Sequence, residues 1–357
     1  MIYQYEPLMT KEYARRVKEQ IESGWIGSGD QVFYFEKKLC ELTGRKYAIA
    51  TTSGTVALFL SLLAMTKNRK NVKVLFPSYT FIAGANVIKY LDLEIVLCEV
   101  NYDTMCMDIN EVEKFLIKYK YDEKIVMFVE HNGYLGKDVK EVREMCTKYN
   151  TLMLEDSAQS VGLDGAGKYG DISIFSFSTP KMITTGQGGA ILTDNEEYYD
   201  SCCNMKDQGG NWRETKIHKE IGLNFKFNDI LACLGLSQLN DLENIKKEKK
   251  RIFDEYRKYI KLFDFGQEIT AMAALIHDKE FYRFANSKTQ TFCEISKLYH
   301  PITDHLQFKN LGNFPVAQKI YDTVIYLPSS MFLQEEQIKN VYEILTEMDW
   351  KKYERME

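Results

Sequence analysis

The amino-acid sequence predicts an α/β fold in which a mostly parallel sheet is sandwiched by helices. The first observation is the alternation of short apolar runs with amphipathic helical stretches, such as KDVKEVREMCTKYN at 137–150. The second is the content of those runs, whose β-branched and apolar residues favour strands at 46–51, 72–77, 93–100, 124–130, 151–156, 171–177 and 189–194. Strands that alternate with helices in this way carry a ligand at their carboxyl ends.

The pattern changes near residue 228, where long charged helices replace the alternation of strand and helix. Asn228 and Asp229 are possible caps for the first of these helices. A chain of 357 residues is also long enough for more than one domain. We therefore expect a large domain over residues 1–240, which includes an N-terminal helical segment, and a smaller domain over residues 241–357.

The composition argues against several classes of protein. With 45% hydrophobic residues, 27% charged residues and a net charge of -5, the chain is typical of a globular protein and has no broad basic surface for nucleic acid. The locally basic run KKEKK at 246–250 is predicted to be a solvated helix face. Residues 1–20 carry charges where a secretion signal is apolar, and no segment is long and apolar enough to span a bilayer. We expect a cytoplasmic protein without nucleic-acid or membrane partners.

The cysteines and histidines show no metal-ligand spacing. The eight cysteines are scattered, and Cys202 and Cys203 are adjacent, which suits neither an easy disulfide nor a tetrahedral metal site. We expect reduced, mostly buried thiols and no metal ion. The five histidines form no HExxH pair or other close set of metal ligands. These histidines are His131, His218, His277, His300 and His305.

A turn of small residues follows the first predicted strand. Ser53, Gly54 and Thr55 lead from that strand into the helical stretch TVALFLSLLAM, so their backbone N–H groups would lie at the positive end of a helix. Such a turn can bind a phosphate group. It can equally be an ordinary helix start with Ser53 or Thr55 as the N-cap, and the residues alone do not separate the two.

Two further strand ends carry candidate chemistry. The strand TLMLED ends in Asp156, whose carboxylate could hold a protonated ring nitrogen and make a pyridine ring an electron sink, or could cap the next helix. Lys181 follows the strand DISIFSF and lies between Pro180 and the glycines of TGQGG. Burial there would lower the pKa of its ammonium and free the amine to attack an aldehyde. The alternative is an exposed loop lysine, but the glycines favour the first hypothesis because they let the backbone approach a ligand.

A phosphate cradle, a carboxylate for a ring nitrogen and a lysine for an aldehyde, in this chain order, describe a site for pyridoxal 5'-phosphate. The blocks that carry them resemble the DegT/DnrJ/EryC1/StrS aminotransferases of fold type I, almost from end to end. The resemblance implies a large domain with a mostly parallel mixed sheet between helices, and a smaller C-terminal α+β domain. The resembling blocks are GWIGSGDQVFYFEKKLCELTGRKYAIATTSGTVALFLSLLA, PSYTFIAGANVI, LEDSAQSVG, GDISIFSFSTPKMITTGQGGAILTDN, GLNFKFNDILACLGLSQL and NFPVAQKIYDTVIYLPSSMFLQEEQI.

The resemblance also implies roles for single residues. Lys181 would bind the cofactor as a Schiff base and then move a proton, and Asp156 would pair with the pyridinium nitrogen. Gln159 would approach the phenolic oxygen of the cofactor. Phe81 would lie over the pyridine face, where an aromatic ring can stack, unless it is a core phenylalanine.

The phosphate would be held by several groups at once. The resemblance implies contacts from the amides of Gly54 and Thr55 and from the hydroxyls of Thr55 and Ser176, while Ser53 completes the turn. Asn224 would reach the phosphate from a neighbouring subunit. A homodimer with shared active sites is therefore expected.

The family acts mainly on keto sugars attached to nucleotides, and this implies the substrates. An amino donor, in most relatives L-glutamate, would leave its nitrogen on the cofactor as pyridoxamine 5'-phosphate. A nucleotide-linked 4-keto-6-deoxy or 3-keto sugar would then accept it, for amino-sugar and surface-glycan synthesis. Ser178, Gln187 and Gln208 depart from the family's usual residues. Candidate contacts to the sugar are Trp25, Tyr79, Ser178, Gln187, Tyr299 and His300. Four of them could equally be packing residues, namely Trp25, Tyr79, Tyr299 and His300.

Three alternatives to a sugar aminotransferase remain. The segment 264–300 is shorter than usual in the family, which would suit a small phosphorylated ketone as the acceptor. A related branch of 3-dehydratases has histidine where this chain has Lys181, so Lys181 argues against that reaction. Some members were first described as regulators, but Lys181, Asp156 and Ser176 argue against a cofactor-binding sensor that turns nothing over.

Overall fold

The predicted strands pair into one seven-stranded sheet. The computed structural model describes residues 1–210, 217–218, 220–277, 293–297 and 299–347. The strands of the sheet are β1 Tyr47–Thr51, β2 Lys73–Pro77, β3 Glu94–Cys98, β4 Lys124–Val129, β5 Leu152–Asp156, β6 Ile172–Ser176 and β7 Gly189–Thr193. They lie in the order β1-β7-β6-β5-β4-β2-β3, and every pair is parallel except those that β7 makes with β1 and β6. The predicted α/β class and mostly parallel sheet are confirmed.

Helices pack against this sheet and against one another. In chain order they are α1 Lys11–Glu22, α2 Asp30–Thr43, α3 Gly54–Thr66, α4 Ala83–Tyr90, α5 Ile109–Lys118, α6 Lys137–Lys148, α7 Glu196–Lys206, α8 Asp229–Asn240, α9 Leu242–Arg257, α10 Pro315–Thr323 and α11 Glu335–Glu347. The sequence of α3, GTVALFLSLLAMT, is apolar on all sides. This composition suits its position, because α3 packs on the sheet on one side and against α4 and α7 on others.

The inner strands are buried on both faces, as expected for parallel strands between helices. In β4, the side chains of Ile125, Met127 and Val129 belong to the hydrophobic cluster that includes α3, whereas Val126 and Phe128 belong to a different cluster. This alternation follows from the two-residue period of a strand. A slip by one residue would exchange the two sets, so the core fixes the register of the strand ends.

The chain beyond α8 contains a second, smaller group of elements. A short antiparallel pair, β8 (Leu275–His277) and β9 (Val324–Tyr326), lies in this part of the chain with α9, α10 and α11. The predicted boundary at 240–241 coincides with the junction between α8 and α9. One hydrophobic cluster nevertheless includes residues from both parts, among them Phe35 and Val341. The division into two domains stays a prediction.

The run KKEKK in α9 is not wholly solvated. Lys249 is only 4% exposed, whereas Lys247 is exposed. The helical period explains the difference, because Lys249 lies four residues after Ile245 and three before Ile252, and both isoleucines are fully buried. The predicted solvated face is therefore wrong for Lys249.

The cysteines are free thiols and most of them are buried, as expected. Across the described residues, no three side chains of His, Cys, Asp or Glu lie close enough together to hold a metal ion. In the same part of the chain, no helix combines the length and the hydropathy that a membrane span requires.

β7 begins at Gly189, directly against the turn that precedes α3. A Cβ at residue 189 would lie 2.5 Å from the amide nitrogen of Gly54 and still closer to the carbonyl group of Ser53. Both neighbours are backbone atoms, so neither can rotate away as a side chain would. Glycine at 189 therefore lets the strand and the turn approach each other, and it fixes the start of α3 relative to the sheet edge.

Gly189→Ala should destabilise the protein by about 1–3 kcal/mol, because the added methyl group forces the backbone to shift in a packed region. Chemical unfolding measures the difference in free energy. Gly27→Ala is the matched control, since a Cβ there would meet no atom within 4 Å. Equal unfolding free energies for the two variants would contradict the close approach.

Candidate active site

The carboxyl edge of the sheet brings the predicted site residues together. β5 ends at Asp156 and its parallel neighbour β6 ends at Ser176, while β1 ends at Thr51, shortly before α3 begins. β7 is antiparallel to its neighbours, so its first residue, Gly189, lies at the same edge. Lys181 lies in the loop between β6 and β7, and that loop starts and ends at this edge.

The turn before α3 is both a helix cap and a set of open amides. Ser53 Oγ accepts a hydrogen bond from Val56 N at 3.1 Å, so the N-cap hypothesis is correct for Ser53. The amides of Gly54 and Thr55 donate to no other described residue, so they are open to an anion. The cap and the cradle are compatible because they use different donors.

Ser176 lies against this turn. A Cβ on Gly54 would be 2.8 Å from Ser176 Cβ and 3.1 Å from its Oγ, so the hydroxyl group is next to the start of α3. Ser176 Oγ also lies 3.4 Å from Ser178 Oγ. Thr55, exposed at the same turn, adds a second hydroxyl. Amides and hydroxyls thus converge at the positive end of a helix, and a phosphate is bound by such donors.

Asp156 is buried at the end of β5. Burial raises the pKa of its carboxyl group to about 6, although the amide of Ala158 and the Lys181 ammonium both act to lower it. Asp156 Oδ1 accepts a hydrogen bond from Ala158 N at 3.0 Å, so the residue also closes a local turn. Its Oδ2 makes no hydrogen bond to another described residue, and it is free to accept one from a ring N–H.

Lys181 holds its amine among protein atoms. Burial lowers the pKa of that amine to about 8, and the Asp156 carboxylate acts in the opposite direction. The residue as a whole keeps intermediate exposure, so the side chain is not sealed off. Its Nζ lies 3.6 Å from Met272 Sδ, which is a weak acceptor. Lys181 is therefore not a solvated loop lysine, and its amine is available as a nucleophile close to neutral pH.

Gln159 is buried and is held in place by Asn132. Its Oε1 accepts a hydrogen bond from Asn132 N at 2.9 Å. The side-chain amide of Asn132 donates in turn to Thr270 Oγ1 at 3.2 Å and to Ala273 O at 3.1 Å. Gln159 is thus connected, through Asn132, to the segment 270–273 of the C-terminal part.

Aromatic side chains lie beside the catalytic pair. Phe81 is 53% exposed, so it is not a core phenylalanine, and its ring packs against Tyr299 with centroids 5.6 Å apart. Burial raises the pKa of the Tyr299 hydroxyl, and the nearby charge of Asp156 acts in the same direction, so this pair of rings lies close to the site. Tyr79 is 1% exposed and packs against Tyr299 and His131. Packing therefore explains Tyr79 better than contact with a sugar does.

Four other sugar-contact candidates keep accessible surface. His300 is exposed and uses both ring nitrogens, since Nδ1 lies 3.1 Å from Asp304 Oδ2 and Nε2 lies 3.1 Å from Tyr321 OH. Trp25 is 78% exposed. The four candidates are Trp25, Ser178, Gln187 and His300, and their roles as sugar contacts stay predictions.

Asn224 lies on the surface beside the strand that leads to the cradle. It is exposed, and its Oδ1 accepts a hydrogen bond from Lys226 N at 3.4 Å. The backbone of Lys226 bridges to Thr51, the last residue of β1. The side chain of Asn224 is therefore near this edge of the sheet and accessible from outside the chain.

His131 is a residue near the site that sequence reasoning did not single out. It is buried, its Nε2 lies 3.0 Å from Tyr326 OH, and its Nδ1 has no hydrogen-bond partner among the described residues. Burial, with the Lys181 ammonium as a second cause, lowers the pKa of His131 to about 3, so its ring is neutral. The sequence contained one signal: β4 ends at Val129, in register with Asp156, so the next residues reach the same edge.

The donor set fits pyridoxal 5'-phosphate. The open amides of Gly54 and Thr55 suit its phosphate, and the free Oδ2 of Asp156 suits its ring nitrogen. The poorly solvated amine of Lys181 suits its aldehyde, and the exposed ring of Phe81 suits its flat face.

Known proteins are similar to this chain over nearly its whole length. The model of the DegT/DnrJ/EryC1/StrS aminotransferase family matches residues 7–346. A GDP-perosamine synthase of Escherichia coli O157:H7 is 30% identical over an alignment of 360 positions, which covers 96% of this chain and 97% of that protein.

Solved structures share the fold at lower identity. The aminotransferase TlmJ from Streptoalloteichus hindustanus superposes with a TM-score of 0.88 at 22% identity, over 97% of this chain and 98% of that chain. NtdA from Bacillus subtilis, solved with bound cofactor PMP, gives a TM-score of 0.81 at 24% identity, over 94% of this chain and 83% of that chain. The predicted fold type I architecture is confirmed. The chain therefore belongs to the DegT/DnrJ/EryC1/StrS aminotransferase family, and it is an aminotransferase that depends on pyridoxal 5'-phosphate.

Proposed function

We propose that the protein transfers an amino group from L-glutamate to the keto group of a nucleotide-linked sugar, in the synthesis of an amino sugar for a glycan. The observation that carries the proposal is the desolvated pair of Lys181 and Asp156 beside an open phosphate cradle. The similarity to a GDP-perosamine synthase over 96% of this chain supports a nucleotide-linked sugar as the acceptor.

Lys181 supplies the reactive amine. When bound, pyridoxal 5'-phosphate contributes an aldehyde that carries the amino group and a ring that withdraws electrons from the neighbouring carbon. With a pKa of about 8, Lys181 Nζ is uncharged in part of the molecules near neutral pH, so it can attack the aldehyde carbon. After displacement by the amino donor, the same Nζ would accept the proton of the donor's α-carbon and deliver it to the carbon that had carried the aldehyde.

Asp156 keeps a positive charge on the ring nitrogen. Its carboxyl group is mainly ionised above its pKa of about 6. A cation at hydrogen-bond distance stabilises that carboxylate and is stabilised by it, so the ring nitrogen holds its proton at neutral pH. The cradle at Gly54 and Thr55, with the hydroxyl of Ser176, fixes the phosphate end, so that the ring is held at two ends.

A small phosphorylated ketone is the alternative acceptor. It was suggested by the shortness of the segment 264–300, but residues 278–292 and 298 lie outside the described residues. No contact in the described part of the chain favours this acceptor over a nucleotide-linked sugar. We therefore keep the nucleotide-linked sugar as the proposed substrate.

A homodimer with shared active sites completes the proposal. Large apolar side chains are exposed on the segments 25–34 and 221–223, among them Trp25 at 78% and Ile221 at 94%. The chain that follows the second segment bridges to Thr51 through Lys226, and Asp229 Oδ1 accepts hydrogen bonds from Gly29 N and Val32 N of the first segment. Exposed apolar surface of this kind is typical of a protein interface, and a second copy on it would bring its own Asn224 towards the cradle. The apolar residues of this surface are Trp25, Ile26, Phe33, Tyr34, Ile221 and Leu223.

Asp156→Asn should lower turnover by at least about 100-fold, the equivalent of roughly 2.7 kcal/mol in the reaction barrier. A neutral amide cannot hold the ring nitrogen protonated, although the cofactor should still bind through its phosphate. Steady-state kinetics and cofactor absorbance measure the two effects. Asp164→Asn, at a surface position on the same segment, is the control, and near-normal turnover of the cofactor-loaded Asp156→Asn protein would exclude the proposed role.

The acceptor is tested with enzyme first treated with L-glutamate, which should remove the visible absorption of the bound cofactor. Nucleotide-linked 4-keto-6-deoxy and 3-keto sugars and small keto phosphates are then added separately. A nucleotide-linked keto sugar should restore the absorption within one turnover. Restoration by a small keto phosphate alone would favour the alternative acceptor, and no response to any amino donor would refute transamination.

Subunit complementation tests the shared site. Lys181→Ala should abolish both activity and the borohydride-reducible link to the cofactor, and Asn224→Ala should weaken cofactor binding by about tenfold through a lost hydrogen bond. A heterodimer of the two variants should regain one intact site of its two, measured at limiting cofactor after purification with two different tags. If Asn224 acts within its own chain, every site keeps one defect and no activity returns.

A further inference from the structure

Lys249 is buried beside the lysine of the active site. The two lysines line the same small cavity, together with Met272 and Ser329. Lys249 is 4% exposed, and no carboxylate in the described part of the chain forms an ion pair with it. Burial lowers the pKa of its amine to about 7. A buried lysine without a carboxylate is costly, because a methionine of similar length would fill the space without a polar group to satisfy.

The amine of Lys249 binds two backbone carbonyls. Its Nζ donates a hydrogen bond to the carbonyl oxygen of Met272 and lies 3.4 Å from that of Ser329. Met272 belongs to the segment 270–273, which is buried and has no regular secondary structure. The polar groups of a buried irregular segment need partners from elsewhere, and Lys249 provides one for Met272.

Met272 connects Lys249 to Lys181. Its backbone is bound by Lys249, and its side chain places Sδ 3.6 Å from Lys181 Nζ. The next residue, Ala273, is fixed from the other side, because its carbonyl accepts a hydrogen bond from the side chain of Asn132 at 3.1 Å. The segment 270–273 is therefore held at adjacent residues by two different parts of the chain, and one of its side chains covers the reactive amine.

We propose that Lys249 is a positioning residue for the aminotransferase reaction: it holds the Met272 carbonyl so that the Met272 side chain stays packed on the Lys181 amine and excludes water from it. The inference depends on the role proposed for Lys181. Exclusion of water keeps the amine partly uncharged. The loss of Lys249 therefore changes the protonation of the Lys181 amine indirectly, through the position of Met272.

A purely structural role gives a different result. If Lys249 only satisfies buried carbonyls, its replacement lowers stability and leaves the reactivity of Lys181 in the folded protein unchanged. If Lys249 positions Met272, its replacement changes that reactivity even where the fold is stable. Among the described residues, Asp156 and His131 interact electrostatically with Lys181, and neither is altered in the variants.

The first measurement uses cofactor-free protein. Lys181 is labelled with a limiting amount of a water-soluble acetylating reagent at a series of pH values, and mass spectrometry of its peptide gives the pH midpoint of its reactivity. Lys249→Met should raise this midpoint by roughly 0.5–1 pH unit, because water that reaches the amine stabilises its charged form. Lys249→Arg, which keeps donors for the carbonyls, should restore most of the original midpoint.

The matched control is Lys250→Met, at the next residue of α9, where the amine binds Asp254 at 2.9 Å on the helix surface. It should leave the midpoint unchanged. In the cofactor-loaded enzyme, Lys249→Met should lower kcat by about tenfold with little change in KM for the amino donor, since binding groups are intact. Thermal unfolding confirms that each variant is folded under the conditions of the assay.

A second variant, Met272→Ala, tests the contact between Met272 and Lys181 directly. It removes the side chain over Lys181 but keeps the carbonyl that Lys249 binds, so it should raise the midpoint in the same direction. The double variant Lys249→Met with Met272→Ala should show no larger shift than Met272→Ala alone, because the two residues act through one contact.

An unchanged midpoint in folded Lys249→Met overturns the proposal, and so does an additive shift in the double variant. If Lys249→Met does not fold, an unchanged midpoint in Met272→Ala has the same meaning. Failure of the proposed function is distinguishable, since the glutamate-treated wild-type enzyme would then not recover its visible absorption with a nucleotide-linked keto sugar, whereas the pH midpoints of Lys181 are measured in cofactor-free protein and do not depend on the acceptor.

Discussion

Exclusion of water from one edge of the sheet is the constraint on which the active site depends. In water the amine of Lys181 and the carboxyl group of Asp156 would both be ionised over the whole neutral range. Burial brings their pKa values from 10.5 and 3.8 to about 8 and about 6, a separation of about 2 in place of 6.7 (10.5 minus 3.8). Proton movement between groups of similar pKa requires little free energy, so desolvation makes this edge suitable for acid–base chemistry.

The same edge of the sheet also has a positive and a negative group at two separate positions. The start of α3 presents open amides at the positive end of a helix, whereas Asp156 presents a carboxylate. A ligand with a phosphate at one end and a protonated nitrogen at the other meets an opposite charge at each end. The close approach of Gly189 to the backbone of Gly54 sets the position of the first of these charges relative to the sheet.

Sequence patterns predicted the sheet, and they indicated Lys181 and Asp156 as candidate catalytic residues, because each left a local mark. Asp156 ends a recognisable strand, and glycines follow Lys181 within a few residues. The other contacts join residues that are far apart in the chain, so no local pattern predicts them. Met272 is 91 residues from Lys181, and Tyr326 is 195 residues from His131.

Lys249 shows how a local pattern can mislead. In a run of lysines around one glutamate, composition favours a solvated face, and only the period set by the neighbouring isoleucines indicates that one lysine points inward. For Tyr79 the sequence left both contact with a sugar and packing open, and its burial favours packing. Burial depends on elements distant in sequence, and the roles of the exposed candidates depend on their ligands.

The opposite directions of β6 and β7 have a consequence for how such an enzyme can vary. The connection 177–188 leaves and rejoins the same edge, and it is closed by hydrogen bonds from Phe177 N to Gly188 O and from Thr185 N to Phe177 O, each 2.9 Å long. A closed loop of about a dozen residues has a small ordering entropy, and this one contains no crossover helix. Insertions and deletions in the helical connections would therefore leave Lys181 in place, so the surfaces that choose a substrate can change length while the reactive amine keeps its position.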